Sequence, residues 1–386
     1  MDSSAADYTD IIARSVKVNA GLWAKDLKVT TGRNRVDAAQ ERIEETGDDP
    51  ASRPQLAVDV ASLGGMYAGK IRMVGTESGV GVRNAGALGA QAGSVTLTAD
   101  GRIENSGTLR ASEDATVRTA GEFSNSGALT AGRHVDIQAA SLASSHSSVL
   151  AAGVQNDGKL AESGDLRLHA DGQLSAHGQT LAGGSLRASG QGVDVSGSQT
   201  QGQRVELDSG AGNLLSQNAE VNARELTLRS GQTLNNDGGT LSADAITLSA
   251  QHLSNHKGKL VQTGGGALVV KLPGDIDNRE GEIAANGDIQ LAAQSVNNQG
   301  GKVLAAQNGS LTAHARTTLD NRKGTLAAAG DTRIDAGILN NNEGLISAAT
   351  GRGDIRSAQA VSNRSEEHTS ELQSRSDLVC RLLLEK

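Results

Sequence analysis

The stretch NREGEIAANGDIQLAA, residues 278–293, decides the reading of this chain, because the sequence keeps rewriting it. Its core is N-x-x-G-x-[LIV], followed by small residues, a turn, and alternating apolar positions that end in Ala. Six consecutive copies start at Asn236, Asn255, Asn278, Asn298, Asn321 and Asn341. Their glycines, Gly239, Gly258, Gly281, Gly301, Gly324 and Gly344, are spaced 19, 23, 20, 23 and 20 residues apart. A period near 20 with one strand-like pattern per copy predicts a solenoid and not a compact globule.

The chemistry of one copy sets its expected geometry. Alternation such as Ile289 with Leu291, or Val135 with Ile137, turns one face inward at period two. Gly and Asn tolerate the left-handed backbone region, so N-x-x-G is expected to form the corner between sheets. The Asn amide can also bond its counterpart one coil away and build a ladder. The fold class is therefore all-β, a parallel β-helix with coils of about 20 residues, each bonding the next. At about 4.8 Å per coil, about 17 coils would extend about 80 Å. Leu241, Leu260, Ile283, Val303, Leu326 and Ile346 are expected to stack inside one continuous helix over residues 84–360.

Composition agrees. In 386 residues, Tyr8, Trp23, Tyr67 and Phe123 are the only aromatics, whereas Gly numbers 49 and Pro 3. Globular domains need bulkier cores. Gly without a three-residue period excludes collagen, and regular apolar alternation argues against disorder. The net charge of −8 is dispersed without a basic stripe, which gives nucleic-acid binding no support. No apolar run reaches the length of a membrane span, and the first residues lack the basic start and apolar centre of a secretory signal.

In chain order, residues 11–30 read as strands. Residues 31–55 break the pattern with charge, Pro and Gly and are expected to form an exposed excursion, with a short helix over 38–45. Arg33, Arg35, Asp37, Glu41, Arg42, Glu44, Glu45, Asp48 and Asp49 cluster there. Gly21-Leu22-Trp23-Ala24-x-x-Leu27-x-Val29 matches Gly65-Met66-Tyr67-Ala68-x-x-Ile71-x-Met73, so two related coils should flank the excursion. A shorter repeat begins at Asn84, Asn105 and Asn125. Over 140–230 the pattern decays: Asn156-Asp157-Gly158-x-Leu160 survives, and Leu181 and Val221 keep the apparent phase. The divisions so read are 1–83, 84–230 (degenerate repeats), 231–360 (regular repeats) and a foreign tail, 364–386.

These repeats resemble those of the filamentous haemagglutinin family, large exoproteins of two-partner secretion that include contact-dependent inhibition exoproteins. DIIARSVKVNAGLWAKDLKVTTG (10–32) and SLGGMYAGKIRMVGTESGVGVRNAG (62–86) are similar to the region where the family's secretion domain ends and its shaft begins. The resemblance spans roughly residues 9–360. It implies a right-handed parallel β-helix, export through an outer-membrane partner transporter, and a place in the secreted or outer-surface fraction of a Gram-negative bacterium. It further implies that most of the secretion domain and any C-terminal toxin module are missing. The partners implied for the full-length parent are that transporter and a receptor or glycan on a host or neighbouring cell. The tail segment RSEEHTSELQS (364–374) resembles a translated sequencing-library adapter, and the chain's single cysteine, Cys380, follows it. Without that tail no cysteine remains, which suits an exported chain.

A search for chemistry finds little: no catalytic set, no phosphate loop, no cofactor motif and no metal-ligand spacing. Arg352-Gly353-Asp354 spells an integrin-binding tripeptide, although Gly-Asp before an apolar residue is ordinary repeat grammar, as at Gly287-Asp288-Ile289 and Gly164-Asp165-Leu166. His252 and His256 are four apart but fall on a strand and a turn, where that spacing does not align ligands. Ser254-x-x-Lys257 likewise crosses a turn. Asp275 and Asp277, on one side of a strand, are the nearest approach to the clustered carboxylates a polysaccharide-active β-helix enzyme needs. The expected role is a non-enzymatic shaft that displays adhesive regions. The alternatives are that enzyme and a carrier shaft for a contact-dependent inhibition toxin.

Overall fold

The computed structural model describes residues 1–37, 42–47, 50–155, 158–161 and 163–364. The fold is a parallel β-solenoid; among the described residues the helical state is confined to one turn, Pro50–Ser52. The chain divides into two compact units: Met1–Asp194 with Ser198–Gln203, and Val195–Gly197 with the residues from Arg204 onward.

In the first unit each coil contributes three short strands, one to each of three parallel ladders. One ladder runs through Gly21–Trp23, Gly65–Ala68, Ala87–Ala90, Thr108–Ala111, Ala128–Ala131, Val149–Ala152 and Gln179–Ala182. The second runs from Thr9–Ala13 through Asp26–Thr31, Lys70–Gly75 and Val95–Ala99 to Ser185–Ser189. The third runs from Val16–Val18 through Leu56–Val60, Gly81–Asn84 and Ile103–Asn105 to Gly192–Asp194. The two coils matched in sequence pair residue for residue: Gly21 with Gly65, Leu22 with Met66, Trp23 with Tyr67, Leu27 with Ile71 and Val29 with Met73.

The second unit keeps the parallel coil-to-coil pairing, but in several coils two of the short strands run together into one, as in Glu220–Arg229, Thr240–Ser249, Leu311–Asp320 and Thr332–Asn340. Leu241, Leu260, Ile283, Val303, Leu326 and Ile346 lie in register on successive strands. The first five are fully buried and Ile346 is half-buried. Each such side chain removed from water contributes about 1.5–3 kcal/mol. Alternation along single strands does the same, as in Ile289–Ala293, where positions 289, 291 and 293 face inward. Phe123 is the exception in a core of aliphatic and small residues, held in register between Ile103 and Leu142.

Three expectations change. Of the helix expected over 38–45, the described end is instead a strand: Ile43–Glu45 pairs antiparallel with Asn34–Val36, with Val36 opposite Ile43. Residues 38–41, 48 and 49 lie outside the described residues, and the β-branched pair settles the conformation of the rest. Second, the described part of the Asn156 copy departs from the repeat. Asn156 and Asp157 lie outside the described residues, while Leu160 bridges antiparallel to Val154, so this segment interrupts the coil between Val149–Ala152 and Leu166–Ala170.

Third, Leu181 points outward and Thr180 takes the inward position opposite Leu150. The corner glycine sets this phase. Gly107, Gly127 and Gly178 are each followed two residues later by the inward residue, Leu109, Leu129 and Thr180. Val221 is inward as expected. Of the tail, only Arg364 is described; its carbonyl accepts from Glu343 N–H and its own N–H donates to Asn342. Residues 365–386, Cys380 included, lie outside the described residues.

Candidate functional site

The repeated corner is the most regular chemistry in the molecule. Each motif Asn is buried and donates Nδ2–H to Oδ1 of the Asn one coil further on. Asn236, Asn255, Asn278 and Asn298 do so at 2.7 Å, and Asn321 reaches Asn341 at 2.6 Å. Asn341 continues to Asn363 at 3.1 Å, and Ser216 heads the column by donating to Asn236 at 3.2 Å. The same Nδ2 groups reach backbone carbonyls; Asn278 donates to Gly281 O at 3.4 Å and Lys302 O at 3.2 Å. In the first unit the column is Asn84, Asn105, Asn125 and Ser144, with steps of 2.8, 2.8 and 3.3 Å.

The corner glycine plays a different part from the one expected. The left-handed residue is the third of the motif: Gly238, Lys257, Glu280, Gly300, Lys323 and Glu343, with φ between 54° and 68°. The Asn carbonyl accepts from the Gly N–H three residues on, which closes a turn of the type II kind. Gly258, Gly281, Gly301, Gly324 and Gly344 do not appear in the left-handed region. They are required because a Cβ there would overlap the carbonyl oxygen of the Asn one coil earlier. Gly239 meets Ser216 O in the same way. Close approach of coil to coil, not backbone handedness, selects the glycine.

The charged excursion stands on a fixed base. Glu77, its side chain 2% exposed, pairs with Arg14 at 2.6 Å, and Arg14 also donates to Ser52 Oγ at 2.7 Å. A carboxylate this buried needs such a partner. Asn34 accepts from Thr76 Oγ at 2.6 Å and donates to Thr31 O at 3.0 Å. Beyond this root the described charges are exposed, with Arg42 and Glu44 3.1 Å apart. On the outer face of the neighbouring coils Trp23 and Tyr67 stack at 5.8 Å with a 21° interplanar angle. Neither the buried Glu77 nor this stack follows from the repeat grammar, although the paired Gly-x-aromatic spacing carries a signal for the stack.

The remaining motifs are dispersed. Arg352 donates its backbone N–H to Asp331 Oδ1 at 2.7 Å, Gly353 lies in a strand opposite Thr332, and Asp354 pairs with Arg356 at 3.2 Å. In register, Gly351-Arg352, not Gly353-Asp354, occupies the place of Gly287-Asp288, because Ile289, Leu311, Thr332 and Gly353 align. The tripeptide is therefore outside the repeat grammar.

Ser254 donates to Asp237 at 2.6 Å, while Lys257 pairs with Glu280 at 3.6 Å. His252 Nδ1 accepts from Asp275 N–H at 3.1 Å, and His256 donates its backbone N–H to Asp237 at 3.0 Å. Asp275 accepts from Ser295 Oγ at 2.6 Å. Asp277 is held by Arg279: burial pushes its pKa up, but hydrogen bonds from the Arg279 guanidinium and backbone N–H, with the guanidinium charge, outweigh that and hold it below the ordinary value. The two carboxylates thus serve separate local bonds. Among the described residues no group of three or more His, Cys, Asp or Glu side chains could hold a metal ion.

Comparison with known proteins locates these features. Residues 1–105 match the TPS secretion domain, and residues 90–158, 263–322 and 305–365 match the haemagglutinin repeat. The secretion-domain match reaches past residue 83 into the first Asn84-type coils. The chain is 41% identical over 308 residues to "Toxin CdiA" of Yersinia pestis, covering 74% of this chain and 9% of that protein. It is 35% identical to "tRNA nuclease CdiA-2" of Burkholderia pseudomallei, covering 64% and 8%. It is 32% identical to "16S rRNA endonuclease CdiA" of Enterobacter cloacae, covering 66% and 7%. The chain thus spans less than a tenth of the length of these relatives. No solved structure matches it.

Proposed function

From the premise that the chain belongs to the filamentous haemagglutinin-like family of two-partner secretion exoproteins, we propose that it supplies an export segment and the first part of a β-solenoid shaft. The parent is a protein secreted by, or displayed on, a Gram-negative bacterium. Its transporter is an outer-membrane partner of the two-partner type, and its target is a receptor or glycan on another cell. The observation that carries this reading is continuity: coils inside the secretion-domain match pair in register with coils inside the repeat match, Gly65–Ala68 with Ala87–Ala90 and these with Thr108–Ala111. The export segment is thereby a template on which the repeats stack, each coil needing only its predecessor.

The names of the relatives favour one further reading, in which the parent shaft carries a toxin. That reading adds a module to the shaft without changing what these residues do. The test is to express the full-length parent with its transporter, with and without residues 1–105. The intact protein is expected at the cell surface or in the medium, and the deleted form inside the cell. Equal export of both forms would overturn the export role. The genomic sequence downstream of residue 363 distinguishes a toxin carrier from an adhesin.

A further inference from the structure

The aromatic column on the outer face of the first coils stops one coil short. Trp23 lies over Gly21 and Tyr67 over Gly65, since a Cβ at either glycine would meet the ring two residues on. The same register position is Gly89 in the next coil and Arg110 in the one after. Two strand spacings, about 9.6 Å, therefore separate the Tyr67 coil from the Arg110 coil, with a bare backbone position between them. The gap is a cavity of about 440 Å³ lined by Tyr67, Gly89, Gln91, Thr108, Arg110 and Ser112. Stacked rings sit with centroids about 4.5–7 Å apart, so this gap takes one ring with a stacking contact on each side.

We infer that this slot binds a pyranose ring of a cell-surface polysaccharide. The C–H face of a pyranose packs against the exposed face of Tyr67. Its ring edge carries hydroxyls that match Gln91, Thr108 and Ser112. The Arg110 fork can donate two parallel bonds to neighbouring oxygens or to a uronate carboxylate. Its Nη2 contacts the Gln155 carbonyl only at 3.5 Å, a bond readily exchanged. An aromatic side chain would stack equally well but leave the polar rim unmatched. The site is complete within this chain, so the inference does not rest on the export reading.

Trp23 is the chain's single tryptophan and touches Tyr67, which makes its fluorescence the reporter. The full chain is titrated with cellohexaose, chitohexaose, an oligouronate and a Phe- and Trp-containing pentapeptide, the last read by saturation-transfer NMR as well. At least one saccharide is expected to shift Trp23 emission saturably. Gly89→Leu, which fills the slot, and Tyr67→Ala should weaken it about tenfold or more. Gly89→Ala, whose Cβ would sit an ordinary 3.4 Å from Tyr67, should retain binding. Arg110→Gln should weaken the oligouronate more than the neutral sugars. Circular dichroism and melting confirm that each variant is folded, and if Gly89→Leu is not, Tyr67→Ala and Arg110→Gln decide. No saturable response to any saccharide up to about 10 mM overturns the proposal, that being weaker than single-ring recognition. Unchanged binding by the folded slot variants, or slot-dependent binding of the pentapeptide alone, overturns it as well.

Discussion

Asn278 is bonded on both sides of the column: its Nδ2 donates to Asn298 and two carbonyls, and its Oδ1 accepts from Asn255. Truncation to Ala removes these bonds and leaves a buried amide on each side short of a partner. Asn278→Ala should therefore destabilise by about 2–4 kcal/mol, read from denaturant melts, as a net hydrogen bond is worth about 1 kcal/mol and an orphaned buried group costs about 1–3. The third motif residue behaves oppositely. Lys323 holds φ 55°, a conformation that costs a side-chain-bearing residue about 1–2 kcal/mol. Lys323→Gly should raise stability by up to about 1 kcal/mol, once the entropy of a new glycine is deducted. Gly238 and Gly300 already occupy that place in sister coils. The Asn and Gly of the motif were legible in sequence because burial and close approach admit almost no alternative. The left-handed third position was not, because exposed Lys and Glu are tolerated there at modest cost and so hide the turn.

At the scale of elements, the coils were legible wherever an apolar residue follows the corner glycine by two. They were misread where Thr180 does so, since an apolar Leu181 beside it suggested the wrong phase. The inward place is thus filled by a buried hydroxyl-bearing residue, so hydrophobicity alone cannot fix the register. The excursion was legible as an interruption, but its hairpin was not, because three-residue strands rich in charge carry weak periodicity. The described residues of its outer part bury little, and the base is held by Arg14 and Glu77. Replacing residues 34–52 with a short Gly-Ser linker should thus leave the β-sheet circular dichroism intact and the melting temperature within a few degrees. A collapse of the sheet signal would show that the loop is part of the core. The same change in the full-length parent separates scaffold from recognition, because adhesion is then measured on an undamaged shaft.

For the whole molecule, each coil bonds chiefly to its neighbours, so a coil is a unit that can be removed. Deleting residues 279–298 joins Asn278 to Gln299-Gly300-Gly301 and recreates the motif across the cut. This variant should keep its sheet signal and melt cooperatively, whereas deleting residues 279–288 should not, because it leaves half a coil and brings the Asn298 corner round after only half a turn of the chain. Fold and family were legible at this scale because the pattern recurs often enough to average out decayed copies. The extent of the secretion domain was not, since its coils obey the same inward alternation as the repeats that follow.

The amide column also has a sense of direction. In both units every Asn gives its proton to the coil on the C-terminal side, and Asn84 Oδ1, at the head of the first column, accepts from no described residue. The column therefore has an acceptor end and a donor end: within each coil the Nδ2 group is also held by that coil's own carbonyl, as Asn278 is by Gly281 O, and the next Asn along the chain meets it with its oxygen. The buried corner of this solenoid is thus a polar thread with a head and a tail, and a coil added at the tail extends it in the same sense.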